Sequence, residues 1–387
     1  MSNFLHIAVV PIVISIIAVS LVHPWLVRIA LMKNIVDNPN ARKLNKEPVP
    51  VLGGVGVFLG LIFSLGMAGY YVESLVLPFE VIIAMTIMLY VGVGDDILEL
   101  TPRFRFMAQI FTVCLMMFVG GTYINNFHGL WGIGELPMAV SIMLTIVSCV
   151  GIINAINLID GVDGLCSGYG MFATALFAIL FLRMGDVEFA VLALAVFGAL
   201  VPFCLHNMFG KRYKMFLGDG GSLMLGFICS LFVARVVHSG DYVVTGSSIS
   251  LSLAILAIPV FDTLRVMTAR MLQRRSPFSP DKTHLHHMFI RLGFSHVLTA
   301  FNVIALNGLV VVVWHLCNVL NISAELQLYV TVVAGMLFTT GLYYGVEYIE
   351  KNHPATYAKM QDFVNKYSLR RSGLLLKLQK VLDREKC

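Results

Sequence analysis

Eleven stretches of mostly apolar residues, each about as long as a helix needs to cross the hydrocarbon core of a bilayer, fill this chain almost end to end. They run near residues 5 to 27, 51 to 72, 78 to 94, 106 to 124, 137 to 158, 165 to 183, 187 to 207, 221 to 237, 249 to 270, 297 to 320 and 327 to 348. At 58% hydrophobic and 13% charged, a chain of 387 residues has more apolar surface than a soluble core could hide. Within lipid every backbone N–H and C=O has to be satisfied inside the segment, which a helix does. The pattern predicts an all-α polytopic integral membrane protein with about eleven transmembrane helices. The fifth to seventh stretches are spaced so closely that a short re-entrant or merged helix is an alternative there. No Lys or Arg precedes the first stretch and no small-residue cleavage site follows it, so it reads as a span and not a cleaved signal peptide. The seven cysteines form no CxxC pair and no zinc-like cluster, and read as small packing residues.

Cations decide the orientation. Lys33, Arg42, Lys43 and Lys46 follow the first span, Arg103 and Arg105 the third, and Lys211, Arg212 and Lys214 the seventh. Arg270, Arg274, Arg275, Lys282 and Arg291 follow the ninth, and nine Lys or Arg lie between Lys351 and Lys386. On the opposite side only Arg183 and Arg235 sit near span ends. The positive-inside rule then places the odd-numbered connections and the C-terminus in the cytoplasm, with the N-terminus outside. Two parts are expected: a transmembrane catalytic domain over residues 1–350 and a basic amphipathic cytoplasmic tail over 351–387, lying against anionic lipid or disordered in solvent.

Four polar clusters fall on that cytoplasmic face. VGVGDDILEL sets Asp95 and Asp96 side by side, with Glu99 a turn later; adjacent carboxylates repel unless they share a cation or a proton. NAINLIDGVDGL carries Asn154, Asn157, Asp160 and Asp163, interleaved with glycines that let the backbone bend and a bulky ligand approach. KRYKMFLGDGGSLMLG gives three cations, then Phe216, Asp219 and a Gly-Gly-Ser helix start whose N–H groups suit phosphate. Acids at helix ends and glycines in membrane helices are each ordinary alone. Converging on one face with basic flanks, they point to a hard divalent cation, most simply Mg²⁺, held by one or two carboxylates and by substrate phosphates.

The fourth cluster, RRSPFSPDKTHLHHMFIRLGFS, holds Lys282, His284, His286 and His287. Pro277 and Pro280 oppose a helix before His284, so the histidines should begin the next helical segment. Zinc ligation lacks a fourth soft ligand, and a set of oxyanion donors fits better. The loop from Arg274 to His287 is expected to project from the membrane over a soluble ligand.

VGVGDD, NLIDGVDGL, FLGDGGSLMLG and SPFSPDKTHLHH, in this order between about Asn38 and Gly293, resemble the polyprenyl-phosphate N-acetylhexosamine-1-phosphate transferases. The resemblance implies attack of a polyprenyl phosphate oxygen on the β-phosphorus of a UDP-sugar, with Mg²⁺ (Mn²⁺ as an alternative) present and UMP leaving. It implies cation ligation by Asp163 and Asp219, uracil stacking by Phe216, and a nucleotide-region lysine at Lys46. The HLHH motif would contact diphosphate and sugar, and Asp95 and Asp96 would lie near the lipid phosphate. Asn157, Asp160, Lys214 and Lys282 complete the substrate-binding candidates. Glu99 stands where many members have Asp, so no catalytic role passes to it. His-Leu-His-His differs from the three consecutive histidines of the MurNAc-pentapeptide transferases and resembles the branch that uses UDP-GlcNAc or a close relative. That branch begins O-antigen, enterobacterial common antigen, teichoic acid or arabinogalactan-type polymers.

The expected partners are thus a UDP-N-acetylhexosamine, undecaprenyl phosphate and membrane lipid, with a homodimer admissible and no nucleic acid. Asp95 or Asp96 could accept a residual proton, position the phosphate and cation, or form a covalent phospho-aspartate. Rival readings are a sister enzyme with another N-acetylhexosamine or the muramyl donor, an ion-coupled transporter, whose acids would lie at the bilayer midplane, and a membrane assembly protein.

Overall fold

Helices occupy all eleven apolar windows. The computed structural model describes residues 5–38, 47–72, 79–238, 245–277, 282–367 and 374–383. In chain order the helices are α1 (Val10–Met32, after a π turn), α2 (Gly53–Tyr71), α3 (Phe79–Leu98), α4 (Pro102–Phe118), α5 (Met138–Leu158), α6 (Leu165–Met184), α7 (Val187–Phe209) and α8 (Gly218–Val237). There follow α9 (Gly246–Ile255), α10 (Ala257–Leu272), α11 (Leu285–Arg291), α12 (His296–Val319), α13 (Ala324–Met336), α14 (Leu342–Asn352), α15 (Pro354–Tyr367) and α16 (Leu374–Leu382). A two-residue antiparallel pair, β1 (Val36–Asp37) and β2 (Val49–Pro50), ties the α1–α2 connection.

Among the described residues nine helices are long and apolar enough to cross a membrane, or ten if a bent pair is one span. The remaining window holds α4, only 17 residues long, with Arg103 and Arg105 in its first turn. The protein is therefore an all-α, multi-pass membrane protein. The fifth to seventh windows hold three separate helices, α5, α6 and α7, neither merged nor re-entrant.

The bundle is built around α8, whose most apolar window is 89% buried, against 28% for α12. Glycine lets its neighbours come close. A Cβ on Gly54 of α2 would lie 2.3 Å from the nitrogen of Gly221, and one on Gly92 of α3 would lie 2.3 Å from that of Gly220. Main chain thus packs on main chain where the FLGDGG segment begins α8.

The bent pair is α9 and α10, which meet at 71°. A break at membrane depth frees backbone groups that lipid cannot satisfy. Asn307 of α12, fully buried, supplies them: its Oδ1 accepts from the Ile258 N–H at 2.8 Å, and its Nδ2 donates to the Ala254 and Ile255 carbonyls at 3.1 and 2.9 Å. The Tyr169 hydroxyl adds a bond to the Ile255 carbonyl at 2.6 Å.

Candidate active site

Adjacent residues on a helix point about 100° apart, so Asp95 and Asp96 at the end of α3 approach Asp219 from different sides. Asp95 is buried and binds Arg105 of α4, Nη1 to Oδ2 at 2.5 Å. The same Nη1 lies 3.7 Å from Asp219 Oδ2. Asp96 turns toward α8: its Oδ1 accepts from the Asp219 N–H at 3.2 Å, and its Oδ2 is buried with no hydrogen-bond partner. Gly218 makes that contact feasible. With φ +75°, it adopts a conformation that L side chains avoid, and a Cβ there would sit 2.6 Å from Asp96 Oδ2. Glu99, at φ +51°, is exposed where the helix ends.

The IDGVDG segment is the turn between α5 and α6. Asn157, at the end of α5, donates to Asp219 Oδ1 at 2.8 Å and to the Ser222 hydroxyl at 2.9 Å. Asp163 Oδ2 accepts from Lys214 Nζ at 2.7 Å and from His296 Nδ1 at 2.9 Å. Burial alone would raise the Asp163 carboxyl, but the His296 hydrogen bond and the Lys214 charge outweigh it and hold it below the ordinary range. Asp160 has the opposite fate: burial first, then the charges of Asp219, Asp96 and Asp163, push its carboxyl well above that range.

The segment before α8 is clasped by the chain that leads into α2. Phe216 donates its N–H to the Pro50 carbonyl at 2.8 Å and accepts from Gly53 at 3.0 Å, while Leu217 accepts from Gly54 at 2.8 Å. The Lys214 ammonium lies 5.6 Å from the Phe216 ring centroid. Asp96, Asp160, Asp163, Lys214, Phe216, Asp219, His287 and His296 together line a cavity of about 630 Å³.

The histidine motif is placed differently from the projecting loop its sequence predicts. His284 stands just before the first turn of α11, where the sequence places the start of a helix, but His284 and His286 are only 4% and 3% exposed. Asp262 of α10 draws them in, accepting from His284 Nδ1 at 3.0 Å, from the Leu285 N–H at 3.1 Å and from Arg265 Nη2 at 2.7 Å. The His284 and His286 rings lie parallel at 5.7 Å, and a Cβ on Gly161 would stand 2.8 Å from His286 Nε2. Burial, then the neighbouring His287 and His284, lowers the His286 imidazole well below its ordinary value, so it packs as a neutral ring. Of the motif only His287 lines the cavity. Lys282 is exposed and outside the lining, and Lys46 lies outside the described residues.

Arg105, Asp262 and His296 escaped the motif-by-motif reading. A cation ten residues after a carboxylate pair was the available signal for Arg105. Asp262 is the single acid in an apolar window, and His296 follows the Ser295 cap of α12.

The sequence profile of glycosyl transferase family 4 matches residues 78–237, which contain both aspartate motifs and FLGDGG. The chain is 31% identical over 289 residues to the probable undecaprenyl-phosphate N-acetylglucosaminyl 1-phosphate transferase of Bacillus subtilis, covering 74% of this chain and 78% of that protein. It is 30% identical over 271 residues to the undecaprenyl-phosphate alpha-N-acetylglucosaminyl 1-phosphate transferase of Salmonella typhi, covering 69% and 72%. The Escherichia coli K12 protein of the same name is 29% identical over 271 residues, with the same coverage. The chain therefore belongs to glycosyl transferase family 4, among the polyprenyl-phosphate N-acetylhexosamine-1-phosphate transferases that its motifs resemble.

Proposed function

We propose that this protein transfers N-acetylglucosamine 1-phosphate from UDP-N-acetylglucosamine to undecaprenyl phosphate, releasing UMP, at the cytoplasmic face of a bacterial cell membrane. One observation carries the reading: consecutive residues of α4 serve two unlike cavities. Arg105 reaches Asp219 in the acidic cavity, while Phe106 lines an apolar groove of about 630 Å³ with Val147 and Gly151 of α5, Leu256 at the break, and Val260 and Met267 of α10. A long hydrocarbon tail in the groove would bring its phosphate to the carboxylates. The relatives' names supply undecaprenyl phosphate and N-acetylglucosamine. The Lys and Arg that follow the odd-numbered spans support the cytoplasmic placement.

The residues fit a divalent cation, Mg²⁺ or alternatively Mn²⁺. Asp96 Oδ2 is buried without a hydrogen-bond partner beside Asp219, and Asp160 is pushed up by burial and then by the negative charges of Asp219, Asp96 and Asp163. Among the described residues no three His, Cys, Asp or Glu side chains form a preassembled cage. Mg²⁺ keeps several waters and takes substrate phosphate oxygens, so it can be held by one or two carboxylates. Asp219 and Asp163 would hold it, with Asp96 contributing its bare oxygen. When bound, it would offset diphosphate charge and polarise the reacting phosphorus–oxygen bonds.

In this reading an oxygen of the lipid phosphate bonds to the β-phosphorus, and the bond from that phosphorus to the α–β bridging oxygen breaks. Its electron pair leaves with UMP. The anomeric bond is untouched, so its configuration is retained. The lipid phosphate is largely ionised near neutral pH, so no strong base is required. Phe216 offers a face to uracil, Lys214 and His287 donate to the diphosphate, and Arg105 orients Asp95 and Asp219.

A donor panel with purified protein and undecaprenyl phosphate tests this. Mg²⁺-dependent UMP release with UDP-N-acetylglucosamine is the expected result. Release with a different UDP-sugar alone would reassign the donor. Solute uptake into proteoliposomes without UMP release would replace the transferase reading by a transporter.

A further inference from the structure

The loop that carries Lys214 and Phe216 is held from an unexpected place, the far C-terminal helix. Asp383, directly after α16, is fully buried, and its carboxylate accepts three successive backbone N–H groups. Lys211 donates at 3.1 Å, Arg212 at 2.9 Å and Tyr213 at 3.4 Å, across 170 to 172 residues of chain. The next residue is Lys214, which grips Asp163, and two further on is Phe216, pinned by Pro50 and Gly53. The loop is thus fixed at both ends, and at its start Asp383 holds the main chain itself, through three backbone amides.

We propose that Asp383 is a positioning residue for the nucleotide-sugar donor: by holding the amides of 211–213 it sets where Lys214 and Phe216 stand in the cavity. The inference rests on the reading of those two side chains as donor contacts. Three N–H groups converging on one carboxylate form an anion seat, and bonds to a charged acceptor are stronger than those to a neutral one. Replacing the charge leaves the turn in place but loosens it. A displacement of about 1 Å suffices to cost a positioned group much of its effect. The consequence falls on donor binding. The apolar groove is lined from α4, the α4–α5 connection, α5, α8, α9, α10 and α13, and takes nothing from this loop.

The test uses the full-length protein with Asp383→Ala and the milder Asp383→Asn, alongside Lys214→Ala and Phe216→Ala. Apparent constants are measured separately for UDP-N-acetylglucosamine and undecaprenyl phosphate, and hydrogen exchange is followed over residues 210–217. Asp383→Ala should raise the donor KM about tenfold and Asp383→Asn about threefold, with kcat and the lipid constant within about twofold. Exchange protection should fall at Lys211, Arg212 and Tyr213 while the span helices keep theirs. Unchanged protection at those amides overturns the proposal. So does an unchanged donor KM in Asp383→Ala when Lys214→Ala raises it, which would leave the donor reading intact. Protection lost throughout the chain, with both substrate constants worsening together, would show general structural support and also overturn it. If neither Lys214→Ala nor Phe216→Ala alters the donor constant, the donor reading itself falls, and the role of Asp383 with it.

Discussion

Lys214 and His296 hold the same oxygen of Asp163, at 2.7 and 2.9 Å, so one carboxylate ties the segment before α8 to the first turn of α12. Asp163→Asn removes the charge that both donors share, and with it a ligand proposed for the cation. Turnover should fall by about a hundredfold or more while the protein stays folded in the membrane. Steady-state UMP release decides it, and the same is expected of Asp219→Asn. Full activity in either variant would remove that residue from the site.

Asp160 gives a pH prediction whose sign is opposite to the usual one for a carboxylate. Its pKa in the folded protein is raised, by burial and then by Asp219, Asp96 and Asp163, so the folded state keeps a proton that the unfolded chain releases. Stability is then lost as pH climbs from about 4, the ordinary carboxylate value, toward the raised one. In chelator, Asp160→Asn should melt roughly 2 °C higher than the parent at neutral pH, with the gap closing near pH 4. A variant less stable than the parent at neutral pH would contradict this.

The histidine motif should divide by burial. His287→Ala, at the cavity, should raise the donor KM about tenfold with little change in melting temperature. Asp262→Ala leaves Arg265 buried and His284 without its partner, a loss of about 3 kcal/mol or more. Thermal unfolding in detergent compared with kinetics separates the two. Equal kinetic defects at unchanged stability would contradict the division.

Gly218→Ala places a methyl group 2.6 Å from Asp96 Oδ2 and from the Val51 carbonyl, at a φ of +75°. Strain of about 1–3 kcal/mol and a displaced Asp96 should abolish most activity. Gly66, with nothing within 4 Å of a built Cβ, should tolerate alanine with its activity kept. The two variants assayed together provide the comparison.

The charge distribution predicts that a cysteine at Lys359, in a chain stripped of its native cysteines, reacts only with cytoplasmic reagents. Labelling from outside intact cells would overturn the odd number of spans and the shared face of the four motifs.

The helices were legible because apolar length is a one-dimensional property, and helices stand in all eleven windows. The 71° break was not, since 249 to 270 reads as a continuous apolar run and the amide that completes it, Asn307, lies on another helix. At the site, Asp96, Asp160, Asp163, Phe216 and Asp219 declared themselves through glycine-punctuated motifs, and the structure brings them to one cavity. Arg105 and His296 did not, because each acquires meaning only from the acid that folding places beside it. Burial of His284 and His286 was hidden for the same reason: Asp262 is 22 residues from His284 along the chain.

Where α2, α3 and α8 meet, the contacts run between Gly54 and Gly221 and between Gly92 and Gly220, backbone against backbone. Such a floor has no rotamers to exchange. A ligand seated on Asp219 can therefore be accommodated there only by sliding whole helices, which interiors packed at crystal-like density resist. Adaptation to different donors would fall to the parts that do have torsional freedom, the ring of Phe216, the side chain of Lys214 and the imidazole of His287. Donor preference in this protein would then be altered more readily by exchanging those three walls than by any change to the carboxylates beneath them.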